Sequence, residues 1–206
     1  PVTGHAPDGM PTLRHALNEQ PFSALVFKIM GDVVAGPLTY LRVYSGQVEA
    51  GATVFNATKG KRERLGRILR MHANHREEIK KVSCGSIAAA TGLRTTSTGD
   101  TLCDPRSPIV LELIDFPRPT CSVAIEAASE AQQQQLAQAL THLMIEDPTC
   151  SVRNEAETGR TLISGMGELH LEIIVDRLVR EFGLPTRVGR PQVAYRFYIH
   201  PGTTTL

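Results

Sequence analysis

Gly165-Met166-Gly167-Glu168-Leu169-His170-Leu171-Glu172 decides how the second half of this chain folds. A short apolar run ending at Ile163 precedes it, and the glycines predict a tight swing from strand into helix. Leu171, Ile174, Val175, Leu178 and Phe182 then recur three and four residues apart, one apolar stripe on a helix. Gly183 supplies a left-handed stop. Glu168 in the first turn and Arg177 and Arg180 near the end suit the two poles of the helix dipole. Such a helix needs a sheet to lie on.

The neighbouring residues predict that sheet. Residues 121–127 alternate, with Cys121, Val123 and Ile125 expected inward. Ser129 and Gln132 have capping-box spacing for a helix whose apolar face is Leu136, Ala139, Leu140, Leu143 and Met144; Asp147-Pro148 ends it. Residues 150–154 and 161–164 read as a hairpin around Glu157-Thr158-Gly159, and residues 185–188 as a last strand. The order β-α-β-β-α-β over residues 120–190 is a split βαβ, ferredoxin-like α+β sandwich, both helices on one face.

Upstream the pattern is different. Residues 24–30, 38–44, 52–55, 62–71, 87–91 and 101–103 read as short strands with turns every eight to twelve residues. That spacing predicts a closed all-β barrel or sandwich over residues 21–107. Residues 74–80 could hold one helical turn. Residues 1–20 read as an irregular linker, and residues 108–119, with Pro117-Arg118-Pro119, as a stiff link between domains. Residues 191–206 are a tail that starts as a strand without a named partner.

Composition narrows the function classes. The 206 residues allow one or two small domains, and a net charge of +1 leaves nucleic-acid affinity to local patches. Cys84, Cys103, Cys121 and Cys150 lie far apart without a Cys-x-x-Cys pair, which favours reduced thiols in a cytoplasmic protein. No apolar run approaches a membrane span. A start at Pro1 reads as a piece cut from a longer protein.

No segment predicts catalysis. There is no Gly-x-x-x-x-Gly-Lys-Ser/Thr loop, and no nucleophile-and-base set has recognisable spacing. Gly165-x-Gly167 could offer N–H groups to an anion, but Glu168 would repel it, so close packing is the better reading. His72-x-x-His75 lacks a third ligand at metal spacing, so no metal site is assigned. The densest charge is the run Lys59, Lys61, Arg62, Arg64, Arg67 and Arg70, opposed only by Glu63 and continuing to His72, His75 and Arg76. A solvated face accounts for such a run as well as RNA-phosphate contact does. With few aromatics nearby, contact would be to the RNA backbone and its shape, without base readout. His170, one residue off the apolar stripe, reads as a partly exposed helix residue making one hydrogen bond, with a neutral histidine at a domain contact as the alternative.

The run "SGMGELHLEIIVDRL" closely resembles the third domain of elongation factor G, a translational GTPase. "PFSALVFKIMGD", "GPLTYLRVYSG", "TKGKRERLGRILRMHANHREEI", "GDTLCDP" and "EDPTCSVRNEAETGRTLISGMGELHL" resemble that family's second and third domains, in its order. The resemblance implies a translation-factor-type β-barrel followed by the βαββαβ sandwich, and a parent protein whose preceding domain hydrolyses GTP with Mg while driving translocation of tRNA and mRNA. This chain itself would need no cofactor. Its partners would be the ribosome, through small-subunit rRNA and protein, and the parent's GTPase domain; a monomer with no membrane or DNA partner is expected. The resemblance also places Asp147, Pro148, Thr149, Gly165, Gly167, Leu169 and His170 near an interdomain pocket targeted by fusidane antibiotics. A ribosome-protection or release-factor GTPase, or a non-ribosomal interaction module, is the alternative. Two places depart from the pattern: Phe197-Tyr198 stands where Glu-Thr is expected, and residues 31–36 are looser than the usual Asp-Pro-Phe turn.

Overall fold

A computed structural model describes residues 1–31, 36–72, 75–112, 114–155 and 160–189. The contacts divide the chain into two compact units: Pro1–Phe116 with Thr141–Pro148, and Pro117–Leu140 with the described residues from Thr149 onward.

In the first unit the chain runs through β1 (Val2–His5), β2 (Pro11–Arg14), β3 (Ser23–Met30), β4 (Leu38–Ser45), β5 (Gln47–Glu49) and β6 (Thr53–Asn56). It continues through β7 (Lys61–Arg64), β8 (Ile68–His72), β9 (His75–Ile79), β10 (Lys81–Ser83), β11 (Ile87–Ala90), β12 (Thr101–Cys103) and β13 (Val110–Leu111). Eight strands form one antiparallel sheet in the order β7-β6-β12-β3-β4-β11-β8-β9. Alternation explains its buried face. Ala24 and Val26 of β3, Leu41 and Val43 of β4, Val54, Ile68, Ala88 and Leu102 meet in one core with Leu65. In β3 the next inward residue is Ile29, because a bulge between Val26 and Lys28 shifts the alternation by one.

The ladders do not close on themselves, β7 and β9 ending the strand order among the described residues, but β7 leads into β8 through Leu65-Gly66-Arg67, whose backbone bonds Ala52 on one side and Thr91 on the other with Leu65 in the core, so the unit still fits the expected β-barrel. Two expectations need correcting here. Residues 75–79 form β9 and not a helical turn, laddered to β8 from Ile68↔Ile79 to His72↔His75. Residues 1–20 are not irregular throughout. β1 pairs with both β2 and β13, and Val2 packs against buried Cys103, Ile109 and Leu111. Strands this short and polar leave no periodic signal; their partners fix them. A two-stranded sheet of β5 and β10 adds Val48 and Val82 to the core from directly opposed positions.

The chain then runs β14 (Cys121–Ala127), α1 (Gln133–Glu146, counted with the second unit as far as Leu140), β15 (Ser151–Asn154), β16 (Thr161–Gly165), α2 (Glu168–Arg180) and β17 (Thr186–Gly189). The second unit's antiparallel sheet has the order β15-β16-β14-β17, the first and third strands inside and the second and fourth outside. This is the β-α-β-β-α-β arrangement expected from the sequence. Helix α2 lies on β16, β14 and β17 through Leu171, Ile174 and Leu178. Gly183 at φ 64° ends it, its N–H donating to the Val179 carbonyl. On α1, Leu136, Ala139, Leu140 and Leu143 are buried and Met144 half-buried. Its start differs from a capping box: Ser129 Oγ bonds Gln132 Oε1, and a 3-10 turn over Glu130–Gln132 leads into the helix. In β14 the buried residues are Ala124 and Ile125, while Cys121 and Val123 are only half-buried. The Glu157-Thr158-Gly159 turn and the 191–206 tail lie outside the described residues.

All four cysteines are free thiols. Burial, only partly offset by a hydrogen bond from the Ile109 backbone and by nearby Arg14, pushes the Cys103 thiol up and keeps it unreactive. No helix among the described residues is long and apolar enough to cross a membrane.

Candidate nucleic-acid interface

Lys61, Arg62 and Arg64 lie on β7, and Arg70, His72, His75 and Arg76 on the β8–β9 hairpin that the chain enters three residues later. Register puts Arg70 opposite Glu77 and His72 opposite His75 on one face of that hairpin, and Arg76 opposite Met71 on the other. The Arg70–Glu77 ion pair, 3.4 Å long and exposed on both sides, contributes at most about 1 kcal/mol. Glu77 and Glu78 also dilute the positive charge here. The two histidines are exposed, and no group of three metal-ligating side chains occurs among the described residues.

Lys59 is engaged in the fold. Its Nζ lies 3.2 Å from Asp100 Oδ2 and donates to the Thr95 carbonyl and Ser97 Oγ. Asp100 Oδ2 also accepts from Asn56 Nδ2 and the Ser97 N–H, both at 2.8 Å. This network ties the turn before β7 to the loop before β12. Lys59 is therefore spent on its own chain and leaves the expected RNA-facing set.

Glu63, the one acid in the run, is spent too. It accepts from the Arg94 N–H at 2.7 Å, the Thr95 N–H at 2.9 Å and the Thr96 hydroxyl at 2.6 Å. Partial burial pulls its carboxyl up, but the bonds from Thr95, Thr96 and Arg94 outweigh that and hold it below the usual carboxylate range. A depressed folded-state value means these bonds stabilise above the free carboxylate range, about pH 4.3, and the gain is lost as pH falls through the lower folded value. The stability difference between wild type and Glu63→Gln is expected to shrink in urea titrations repeated from neutrality down to about pH 3.

Around β7 these fixtures leave a concavity of about 600 Å³ lined by Lys61, Arg62, Glu63, Arg64, Arg94 and Thr95, with Gly51 and Gly92 among its backbone walls. Arg64 Nε donates to the Gly51 carbonyl, which fixes its guanidinium at the rim. Lys61, Arg62 and Arg94 are exposed. Arg67 is also exposed but does not line the hollow. Arg94 escaped the sequence reading because it stands alone, 18 residues beyond Arg76 at the end of the run; the only signal was a single Glu63 among cations.

The Gly165 turn is a second feature. Met166 N–H donates to His170 Nδ1 at 3.0 Å, and Thr120 donates from its N–H to the Gly165 carbonyl and from its hydroxyl to that of Met166. His170 thus closes its own helix start as a half-buried hydrogen-bonded residue. A Cβ on Gly165 would stand 2.9 Å from His170 Nδ1 and 3.1 Å from Leu171 Cδ2. Gly167, at φ 176° with open space around it, needs no glycine. Gly165→Ala is expected to cost about 1–3 kcal/mol by crowding and a lost cap, and Gly167→Ala far less, by urea unfolding. Leu169 is exposed beside this turn. Of the seven residues assigned by resemblance to an interdomain pocket, Gly165, Gly167, Leu169 and His170 sit together here, Thr149 belongs to the same unit, and Asp147 and Pro148 belong to the other.

Comparisons with known proteins agree with both halves. Residues 21–105 match the family model of elongation factor G domain 2, and residues 116–190 that of elongation factor G, domain III. A crystal structure of a protein from Thermus thermophilus superposes with a TM-score of 0.73 at 27% identity, over 84% of this chain and 26% of that one. The chain thus spans about a quarter of the solved protein it resembles. A barrel-like β unit followed by a β-α-β-β-α-β unit, in the order of two matched domain families, identifies the chain as the second and third domains of the elongation factor G family.

Proposed function

We propose that this chain is a non-catalytic, ribosome-binding part of an elongation factor G-like GTPase that promotes GTP-dependent translocation of tRNA and mRNA. The observation that carries the reading is the β7 concavity, where cations converge while the acid among them is held by backbone N–H groups. Such a surface suits RNA phosphates, because arginine's fork matches their oxygens and contact releases counterions. The GTP and Mg chemistry belongs to a separate domain of the parent. The second unit relays the nucleotide state as a rigid body, with Pro117-Arg118-Pro119 as pivot.

Co-sedimentation of the 206-residue chain with small ribosomal subunits tests this. Binding should weaken steeply as salt rises, and Lys61→Glu with Arg62→Glu should abolish it. Equal sedimentation of the charge-reversed chain, or none by wild type at low salt, would refute the reading. Purified chain should hydrolyse no GTP above a heat-killed control.

A further inference from the structure

We infer that Arg94 is a phosphate-contacting residue of the β7 concavity and that Glu63 is the residue that positions it. This deepens the proposed function and rests on it. Lys61, Arg62 and Arg64 share one strand, so alone they line the hollow from a single side in a row along the chain, Arg62 and Arg64 on one pleat face and Lys61 on the other. Arg94 comes from the loop between β11 and β12 and lines the same hollow, turning a row into a cradle with cations on two walls. Bonds from Arg94 and Thr95 N–H and the Thr96 hydroxyl to Glu63, and from Ser97 N–H and Lys59 to Asp100, fasten that loop at successive residues. A loop clamped in advance loses little freedom on binding, which raises affinity without adding a contact. Two-walled charge at this scale suits the sugar-phosphate backbone of an A-form RNA helix, where the protein reads shape and not base edges.

Glu63 gives the idea a sign that simple charge counting does not share. Removing a negative charge from a cationic hollow should tighten RNA binding if electrostatics alone operated. If Glu63 holds Arg94 in place, its removal weakens binding instead.

The experiment measures fluorescence anisotropy of a labelled A-form RNA duplex with the full chain over a range of salt, with small-subunit co-sedimentation in parallel. Arg94 is exposed, so its truncation spares the core. Arg94→Ala should weaken duplex binding several-fold and lower the slope of log affinity against log salt by about 1, while Arg94→Lys keeps the slope. Glu63→Ala should weaken binding in the same direction. Unchanged affinity and slope for Arg94→Ala, or tighter binding by Glu63→Ala, overturns the inference even if wild type sediments with subunits. Arg94-dependent duplex binding without sedimentation would uphold the cradle and sink the ribosomal reading. Wild type binding neither probe overturns both.

Discussion

Asp100→Ala will lower the stability of the first unit by about 3 kcal/mol, more than any other polar substitution at the interface. The carboxylate is nearly buried, and its Oδ2 is shared by Asn56 Nδ2, the Ser97 N–H and Lys59 Nζ. Truncation takes one acceptor from the buried Asn56 amide, which keeps only its longer bond to Thr96 Oγ1, and the acceptor of the half-buried Ser97 N–H. Lys59 is about a third exposed, so its released ammonium regains solvent and adds less to the loss. Asp100→Asn separates the two contributions. An amide oxygen at the same place keeps the neutral donors and forfeits only the ion pair, so its cost should be nearer 1 kcal/mol. Urea midpoints of the two variants at equal slope decide the matter; equal losses would show that charge, not hydrogen bonding, holds the loop.

In the second unit, Leu178→Ala is expected to cost about 2–5 kcal/mol. Leu178 has no exposed surface and lies with Leu171 and Ile174 on the sheet side of α2. Deleting its branched end leaves a cavity between a helix and a sheet, and neither can collapse into it without moving the other. Ile173, on the same helix but half exposed, should tolerate alanine within about 0.5 kcal/mol. Far-UV circular dichroism during urea unfolding follows the helices. Comparable losses for the two variants would mean that the apolar stripe does not face the sheet.

The α2 stripe was legible because its period, its charged ends and its glycine stop all point one way. The strands with apolar alternation, β3 and β4, were legible for the same reason. Others were not. β9 is His-Arg-Glu-Glu-Ile and β1 is Val-Thr-Gly-His, strands specified by their partners, β8 across a hairpin for the one and β2 and distant β13 for the other, and not by their own residues. Whether the ladders close was not legible either, because spacing counts strands but says nothing about whether the outermost two meet.

Legibility at the candidate interface failed in a more specific way. A list of charges cannot show which are already spent. Lys59 and Glu63 find their partners some thirty to forty residues away, so both look available in one dimension and are committed in three. Arg94 is the reverse case, a cation with no charged neighbours in sequence that the fold delivers to the hollow. Arg70 and Arg76, adjacent in the charge run, face opposite sides of one hairpin because pleating sends residues of opposite parity to opposite faces.

The two outermost strands of the eight-stranded sheet have one more consequence. A strand in that position can offer main-chain donors and acceptors to another molecule, the template on which copies of a protein stack into fibres. In β7 those groups are guarded by three cations in four residues, and in β9 by paired glutamates beside an arginine. Two molecules approaching through the same edge would meet like charge before they could share a ladder. The cations of β7 therefore also oppose edge-to-edge association, and neutralising them should raise aggregation in concentrated solution, read by light scattering.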